Sequence, residues 1–208
     1  MGSFSNIIKR RQGKTYHSVP VFHTKNIEVV PSMSCSMIQV YMKDFKYISQ
    51  TIYNNIIFSL PLHLMECSCG CKGCLIYYGF YCRSVKYYGK KVSLRIQRVK
   101  CKECGKTHAI LPSFIVPYSQ ASLDDQQLVL LEFFRNGKVS TVPDRNPLID
   151  DSNIRYIIRQ FRTYWKNRLE VLALTLADHL VLPCFRNWSM QFMQIRHTPN
   201  ILFNTNIG

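Results

Sequence analysis

Closely spaced cysteines constrain the fold of this chain more than any other feature. Cys67, Cys69 and Cys74 lie in one short, glycine-containing stretch, and Cys101 and Cys104 form a later Cys-x-x-Cys-Gly motif. Zinc sites use paired thiols of this kind, because a tight loop directs two sulfurs at the metal and glycine relieves the strain of the turn. The spacing predicts thiolate-bound Zn²⁺, with five cysteines competing for four positions.

The ligand set and its chemistry have alternatives. Cys71-Lys-Gly-Cys74 also has the usual two-residue gap, and His63 and His108 flank the motifs as substitute ligands. A redox dithiol or ordinary buried cysteines remain open, although neither pair lies in a thioredoxin-like βαβ sequence. The cysteines number nine, and this odd, crowded set fits metal binding in a reducing compartment better than a disulfide framework.

The chain is strongly basic. Its net charge is +15 at pH 7, and an ordinary domain gains nothing from that much self-repulsion, so we expect a polyanionic partner. A membrane surface also attracts cations, but the basic residues lie inside structured segments rather than on one amphipathic flank, which favours nucleic acid.

The same composition predicts where the protein acts. Ile7-Ile8 runs directly into a basic cluster, and no apolar run approaches the roughly 20 residues that span a bilayer. We therefore expect neither a secretory leader nor a membrane partner. The prediction is a cytoplasmic protein that binds double-stranded DNA and no small-molecule substrate.

The periodicity of hydrophobic residues and the positions of proline and glycine divide the chain into four segments and predict an α+β fold. The segments are an N-terminal basic and helical segment (1–65), a zinc-ribbon (66–117), a helix-turn-helix-like helical domain (118–182) and a C-terminal aromatic tail (183–208). The ribbon is expected to be three-stranded and antiparallel. Such a unit is too small to bury a sufficient core, so metal binding would supply folding free energy on the order of 10 kcal/mol.

Strands and helices can be placed within these segments. Residues 1–33 suggest one or two short strands, and apolar spacings of three and four from Ser36 to Ser59 predict a helix or helix pair. Alternating residues predict a hairpin from Leu75 through a turn near Gly89, followed by a short strand over 107–116.

A capped helix opens the helical domain. Ser122 with Asp125 three residues later predicts its start, and Gly137 predicts its end. Two prolines within 138–149 leave room for a turn or a short helix.

The next helix is expected to begin at Ser152, to reach about Leu180 and to end before Pro183. One side of this helix is apolar, and the opposite side carries a row of basic residues, namely Arg155, Arg159, Arg162 and Lys166. A solvated helix face is the simpler explanation, but such a face normally mixes in Glu, which is absent from Ser152 to Leu169. The row therefore predicts a DNA-facing helix.

Basic and aromatic residues also alternate along the ribbon, where Glu103 is the one acid between Lys72 and His108. The predicted nucleic-acid contacts are Arg83, Lys86, Lys90, Lys91, Arg95, Arg98 and Lys100. The interleaved tyrosines are Tyr77, Tyr78, Tyr81, Tyr87 and Tyr88. This combination can follow a sugar-phosphate backbone and stack on exposed bases.

No catalytic grouping is evident, and we expect a protein that is not an enzyme. The 12 carboxylates are scattered, and the aspartates at 124–125 and 150–151 are explained as helix starts. The sequence contains no Ser/His/Asp grouping, Walker-type phosphate loop or dinucleotide fingerprint.

Several motifs carry a resemblance to known proteins. They include Cys-x-Cys-Gly-x-x-Gly-Cys-Leu-Ile (67–76), Arg-Val-Lys-Cys-Lys-x-Cys-Gly-Lys-Thr-His (98–108) and Ile-Asp-x-x-Asn-Ile-Arg (149–155). The chain resembles, over about residues 62–203, a poorly characterised family of small zinc-ribbon proteins associated with clostridial mobile elements. It is similar, more distantly, to the zinc-binding and helix-turn-helix N-terminal part of insertion-sequence transposases.

The resemblance implies a bacterial, nucleoid-associated protein that acts in transposition as accessory or regulator, with a transposase or recombinase as a second partner. It also implies that Cys71 occupies a variable position and is a weaker ligand candidate. Three alternatives stay open: an adaptor that recruits a recombinase or polymerase, a truncated transposase that keeps its DNA-recognition half, and an RNA-binding ribbon.

Overall fold

The chain folds into one mixed β-sheet and a group of helices, an α+β architecture. The computed structural model describes residues 37–42, 48–139, 146–195 and 201–204, the last as backbone. The elements in chain order are β1 (Met37–Tyr41), α1 (Gln50–Ser59), β2 (Leu75–Tyr87), β3 (Lys90–Cys101), β4 (Thr107–Pro112), α2 (Leu123–Asn136), α3 (Asp151–Gln160), α4 (Lys166–Val171), α5 (Val181–Trp188) and β5 (Ile201–Asn204). The predictions for residues 1–33 and for the last four residues concern segments outside the described residues.

The sheet has five strands in the order β2-β3-β4-β1-β5. The predicted hairpin is confirmed, since β2 and β3 pair antiparallel from Leu75 opposite Cys101 to Tyr87 opposite Lys90. β4 adds to β3 antiparallel, whereas β1 runs parallel to both β4 and β5. The three antiparallel strands expected of a ribbon are thus part of a larger mixed sheet.

The prediction of a helix from Ser36 is wrong for its first part. Met37–Tyr41 forms β1, and a helix occupies only Gln50–Ser59. β1 lies between two other strands, and four of its five residues are buried. A short apolar run with both faces covered carries no period-two signal, so it can mimic helical spacing.

Helix α1 packs against the sheet beside β3. The Ser49 side chain caps it by accepting a hydrogen bond from the Ile52 amide. The buried Tyr53 hydroxyl donates to the carbonyl of Ile110 and accepts from the amide of Gln97, at 2.8 Å in each case. Helix α1 therefore provides hydrogen-bond partners for one backbone carbonyl of β4 and one backbone amide of β3.

The predicted caps of the next two helices are confirmed. The Ser122 side chain accepts from the amide of Asp125 at the start of α2, and Gly137 ends α2 in the left-handed conformation. The Asp150 side chain accepts from the amide of Asn153 at the start of α3. The Asp150 carboxylate also accepts a hydrogen bond from the Ser152 hydroxyl. This bond contributes most to lowering the pKa of Asp150 below its ordinary value, followed by the hydrogen bonds from Asn153.

The prediction that this second helix reaches Leu180 is wrong. A π-helical turn follows α3 at Phe161–Trp165, and the helical backbone ends at Val171. Pro183 lies inside the first turn of α5 instead of stopping a helix. The first amides of a helix have no intrahelical acceptor, so proline loses nothing at that position.

Helices α2 and α3 contact one another, but residues 140–145, where a middle helix would fall, lie outside the described residues. The helix-turn-helix arrangement therefore stays a prediction. Part of the aromatic tail packs with the helices, because Phe192 and Met193 belong to the buried cluster that contains residues of α2 and α3. Within the residues that the structure describes, no helix combines the length and the apolar character that crossing a membrane would require.

Buried residues form two hydrophobic clusters. One extends from Met37 to Ile115 and includes three of the clustered cysteines, and the other extends from Val116 to Met193. We call the described residues up to 115 the sheet region and those at 116–139 and 146–195 the helical region. β1 and α1, expected in a separate N-terminal segment, share the core of the β2–β3 hairpin.

Candidate metal centre and basic surfaces

The two cysteine motifs form backbone turns at the same end of the β2–β3 hairpin. In the first, the amide of Cys67 donates to the carbonyl of Cys71 at 2.9 Å. In the second, the amide of Cys104 donates to the Cys101 sulfur at 3.4 Å. Gly105 then takes a positive φ of 71°, a conformation that a side chain would strain. Each turn therefore points its sulfurs toward the other.

Four sulfurs meet between these turns and could hold a metal ion. The thiols of Cys67, Cys69, Cys101 and Cys104 all lie within 4.8 Å of one another. The Cys67–Cys104 and Cys69–Cys101 sulfur pairs are 3.6 and 3.7 Å apart. Zn–S bonds of about 2.3 Å in a tetrahedron separate sulfurs by about 3.8 Å. The spacing therefore suits a tetrahedral thiolate site.

The fifth predicted thiol, Cys74, lies beside this group rather than within it. Its sulfur is 3.2 Å from that of Cys101 and donates to the carbonyl of Cys71 at 2.9 Å. Cys71 itself directs its sulfur to the Lys72 carbonyl, and His63 is exposed on the preceding turn. The structure thus separates four thiols from the other candidate ligands around them.

His108 contacts the cluster from the protein interior. Its side chain is fully buried, and its Nε2 lies 3.3 Å from the Cys67 sulfur. In the tautomer protonated at Nε2, the ring donates a hydrogen bond to this sulfur. A hydrogen bond of this kind orients a metal-bound thiolate and stabilises its charge.

Protonation differs between the buried thiols. Burial raises the pKa of Cys67 to about 12, so without a metal this thiol keeps its proton. Burial also opposes ionisation of Cys101, but the hydrogen bond from the Cys104 amide and the interaction with the neighbouring Cys74 side chain outweigh it and lower the pKa of Cys101 to about 6. A metal ion would bind the Cys101 thiolate readily and would displace the proton of Cys67.

The predicted nucleic-acid residues of the hairpin fall into two groups. Arg83 donates to the carbonyls of Val116 and Ser119 at 2.6 and 2.7 Å. Lys86 donates to the carbonyl of Leu148 at 2.7 Å and to Asn153 Oδ1 at 3.0 Å. Both side chains therefore connect the hairpin to the helical region, and their contact with phosphate stays a prediction.

The other predicted hairpin residues point away from the core. Lys90 and Lys91 are exposed beside the hairpin turn. Arg95, Arg98 and Lys100 each lie over an aromatic ring of β2, and Arg98 also donates to the Thr107 hydroxyl at 2.7 Å.

The tyrosines are placed differently from the sequence expectation. Tyr87 is buried and Tyr81 half-buried, and Tyr77 donates its hydroxyl to the Ile57 carbonyl. Tyr78 and Phe80 are the exposed rings beside the cations of β3. Sequence reasoning missed Phe80 because the bulge at Tyr78 in β2 changes which residues face outward.

The predicted helical row divides at the π-helical turn. Arg155, Arg159 and Arg162 are all exposed. The guanidinium of Arg159 lies 5.7 Å from the centre of the Tyr156 ring on α3, and that of Arg162 lies 5.1 Å from the centre of the Phe133 ring on α2. A π-helical turn holds more residues than an α-helical one, which rotates the residues after it away from the original face. Lys166 follows that turn and pairs with Glu170 at 3.8 Å.

Arg155 and Arg159 line a groove of about 640 Å³ between α3 and the segment before α2. Tyr118 and Tyr156 line the same groove and are exposed. Tyr118 has a positive φ of 63°, and no sequence signal indicated this groove, because it depends on how residues 118–121 pack beside α3.

Comparison with known proteins identifies one domain. Residues 67–141 match the model of a family described as a domain of unknown function (DUF6431). The matched part contains the four clustered thiols, the hairpin, β4 and α2. Neither the curated proteins nor the solved structures contain a match to the chain.

Proposed function

We propose that this chain is a non-enzymatic, zinc-dependent DNA-binding protein that serves a mobile element as an accessory or regulator of transposition. The link to mobile elements rests on the resemblance of the sequence motifs. DNA binding is supported by the charge of +15 and by the basic groove of the helical region.

The metal we propose is Zn²⁺. Four thiols with sulfur spacings of 3.6 and 3.7 Å match the tetrahedral thiolate sites that zinc prefers. All four positions would be taken by protein ligands, which leaves no open position for a substrate or a water. Zinc would accordingly stabilise the fold of the sheet region without taking part in a reaction.

One observation carries the proposed binding of double-stranded DNA. Arg155 and Arg159 are one helical turn apart, exposed, and at the edge of a groove beside α3. Guanidinium groups bind phosphate oxygens with two parallel hydrogen bonds. The groove can therefore hold consecutive phosphates of one DNA strand beside α3.

The test is the salt dependence of duplex binding by the Arg155→Ala/Arg159→Ala double variant. Each lost phosphate contact should flatten the slope of log K against log salt by about 1. We expect weaker binding of a mixed-sequence duplex and a slope that is flatter by about 2, measured by fluorescence anisotropy.

A control variant with the same loss of charge can be made elsewhere in the helical region. Arg135 and Lys138 are exposed at the end of α2, so the Arg135→Ala/Lys138→Ala variant removes equal charge away from the groove. It should keep the wild-type slope. Equal losses in the two variants would mean that net charge, and not the groove, attracts DNA, and unchanged binding by a folded groove variant would overturn the proposal.

A further inference from the structure

We propose that the first part of β2, at the outer edge of the sheet, is a dimerisation surface. The partner is a second copy of this chain, whose own β2 adds to the edge in antiparallel pairing. We call residues 75–82 of this strand the open edge. The proposal does not depend on DNA binding, because the proposed DNA groove lies beside α3 in the helical region.

Backbone groups of β2 point outward from the sheet, because β2 is its first strand. Among the residues that the structure describes, the outer side of β2 is paired at Lys86. Its amide donates to the Gln120 carbonyl at 2.6 Å, and its carbonyl accepts from the Ser122 amide at 3.0 Å. This outward orientation recurs at every second residue of a regular antiparallel strand, and the register is regular from Gly79 onward. The amides and carbonyls of Phe80 and Cys82 therefore also point outward, where a further strand can bind them.

The open edge has the sequence of an interior strand. It reads Leu-Ile-Tyr-Tyr-Gly-Phe-Tyr-Cys and contains no charged residue and no proline. Strands that are covered on both faces have continuous apolar runs of this kind. Edge strands that stay unpaired usually carry lysine or proline, which prevent pairing with another chain. The open edge lacks both.

Side chains of the open edge project from both faces of the sheet. Tyr77 and Phe80 lie opposite Val99 and Gln97, which are two residues apart on β3, so Tyr77 and Phe80 share a face. Ile76 precedes Tyr77 and projects from the other face. Tyr77 is 44%, Phe80 52% and Ile76 39% exposed.

Helix α1 extends this apolar surface. Phe58 of α1 is 71% exposed and packs edge-to-face against the Tyr77 ring, with 6.3 Å between the ring centres. An exposed apolar surface made of several neighbouring side chains is typical of an interaction site.

The distribution of charge favours a second copy as the partner. Each chain carries a net charge of +15, so two copies repel one another unless they meet at an uncharged surface. The open edge and α1 contain no aspartate, glutamate, lysine or arginine. Antiparallel pairing of two such edges therefore places no like charges opposite one another. Arg95, whose guanidinium lies 3.6 Å from the centre of the Phe80 ring, belongs to β3, one strand inward from the edge.

Symmetry and contact area agree with this partner. A strand that pairs antiparallel with its own copy covers both edges in one contact and closes the assembly as a dimer. Half-exposed side chains of this size offer about 100 Å² each. The five that are exposed here, namely Phe58, Ile76, Tyr77, Tyr78 and Phe80, give about 1,000 Å² over two copies, which is the size of a specific interface.

The experiment measures the molar mass of the zinc-loaded full chain by sedimentation velocity over a range of concentrations. A reducing agent is present, so that disulfides cannot link two copies. We expect a reversible monomer–dimer equilibrium that shifts toward dimer as salt is added, because salt screens the repulsion between basic chains. A chain that stays monomeric at every concentration and salt overturns the proposal.

Cys82→Pro tests the strand pairing. Proline removes the outward amide of residue 82 and leaves the hydrogen bonds to β3 in place, and edge strands tolerate proline at such positions. This variant should shift the equilibrium toward monomer. Cys82→Ser, which keeps the amide, should dimerise as the wild type does. Equal dimerisation of the two variants would overturn the pairing through β2.

Side-chain variants test the apolar contact. Phe80→Lys places a cation at the interface and should abolish the dimer, because two like charges then meet across the strand pair. Ser93→Lys adds the same charge at an exposed position of β3 and should leave the dimer intact. Phe58→Ala should raise the dissociation constant about tenfold, the effect of losing one interface aromatic. Zinc content and thermal unfolding verify that each variant is folded, and a wild-type dimer in both phenylalanine variants would overturn the assigned surface.

Hydrogen exchange identifies what covers the open edge. The amides of Phe80 and Cys82 should exchange more slowly as the protein concentration rises, because dimerisation buries them. Slow exchange at every concentration would show that another segment of the same chain covers the edge, and fast exchange at every concentration would leave the edge to a different protein. Either of these results overturns the pairing of two copies.

Discussion

The sheet region and the helical region are stabilised by different means. The sheet region places four thiols at one end of its long hairpin, where the core consists of strand residues such as Leu75 and Cys101. The helical region has no comparable cluster among its described residues, and its centre is the fully buried Trp165, packed edge-to-face against Trp188 and Phe192. One region is expected to depend on a metal and the other on aromatic packing.

The basic residues of the two regions also differ in their contacts. In the sheet region Arg83 and Lys86 donate to backbone carbonyls of the helical region, so part of the charge holds the regions together. In the helical region Arg155 and Arg159 remain exposed beside a groove. A basic residue in this sequence is therefore not by itself a sign of nucleic-acid contact.

Metal removal should give the largest effect and should separate the regions. A structural zinc site supplies on the order of 10 kcal/mol of folding free energy at neutral pH, so chelation is expected to unfold the turns and the adjoining hairpin. Hydrogen exchange should then show lost protection at residues 67–104, with α2 and α3 still protected. Simultaneous loss of protection everywhere would show that the two regions form one cooperative unit.

Single cysteine variants sharpen this result. Cys69→Ser should lose the metal, although Cys69 is exposed and its replacement disturbs no packing. Cys74→Ser should retain one metal per chain, because the Cys74 sulfur lies outside the group of four. Cys82, an exposed thiol on β2, provides the neutral control. Metal loss in Cys74→Ser with retention in Cys69→Ser, measured by elemental analysis, would reverse the ligand assignment.

Trp165→Ala should damage the helical region while leaving the metal in place. The substitution empties a fully buried site and removes the hydrogen bond from the indole Nε1 to the Gln194 carbonyl at 3.0 Å. Truncations of this kind cost about 3–5 kcal/mol. Urea unfolding should show this loss, with one metal per chain retained under native conditions, and Trp165→Phe should cost less. Metal release from Trp165→Ala would contradict independent stabilisation.

Local signals in the sequence were sufficient for much of this fold. The hairpin follows from alternation around Tyr88-Gly89, and the starts of α2 and α3 follow from Ser122 and Asp150, because a cap or a turn is decided by a few neighbouring residues. The thiol cluster follows from spacing for the same reason. Zinc as the metal and DNA as the partner stay predictions.

Features that depend on distant partners were not accessible from the sequence. The spacing of apolar residues in β1 predicts a helix, but its parallel partners β4 and β5 lie about 70 and 160 residues further along the chain. Pairing with these strands, and not local periodicity, determines the conformation of β1. The exclusion of Cys74 depends on how the two turns face each other across the hairpin end. The structural roles of Arg83 and Lys86 likewise depend on carbonyls in the helical region.

The smallest predicted effect concerns the link between the regions. Lys86→Met keeps the apolar stem of the half-buried side chain but removes its hydrogen bonds to Leu148 and Asn153. Loss of a charged donor from such a site should cost about 1–2 kcal/mol, measured by urea unfolding, and should make unfolding of the two regions less coincident. Lys91→Met, at an exposed hairpin position, should be neutral. Equal stability of the two variants would show that Lys86 does not couple the regions. The hydrogen bonds of Arg83 to Val116 and Ser119 would then be the remaining candidates for this coupling.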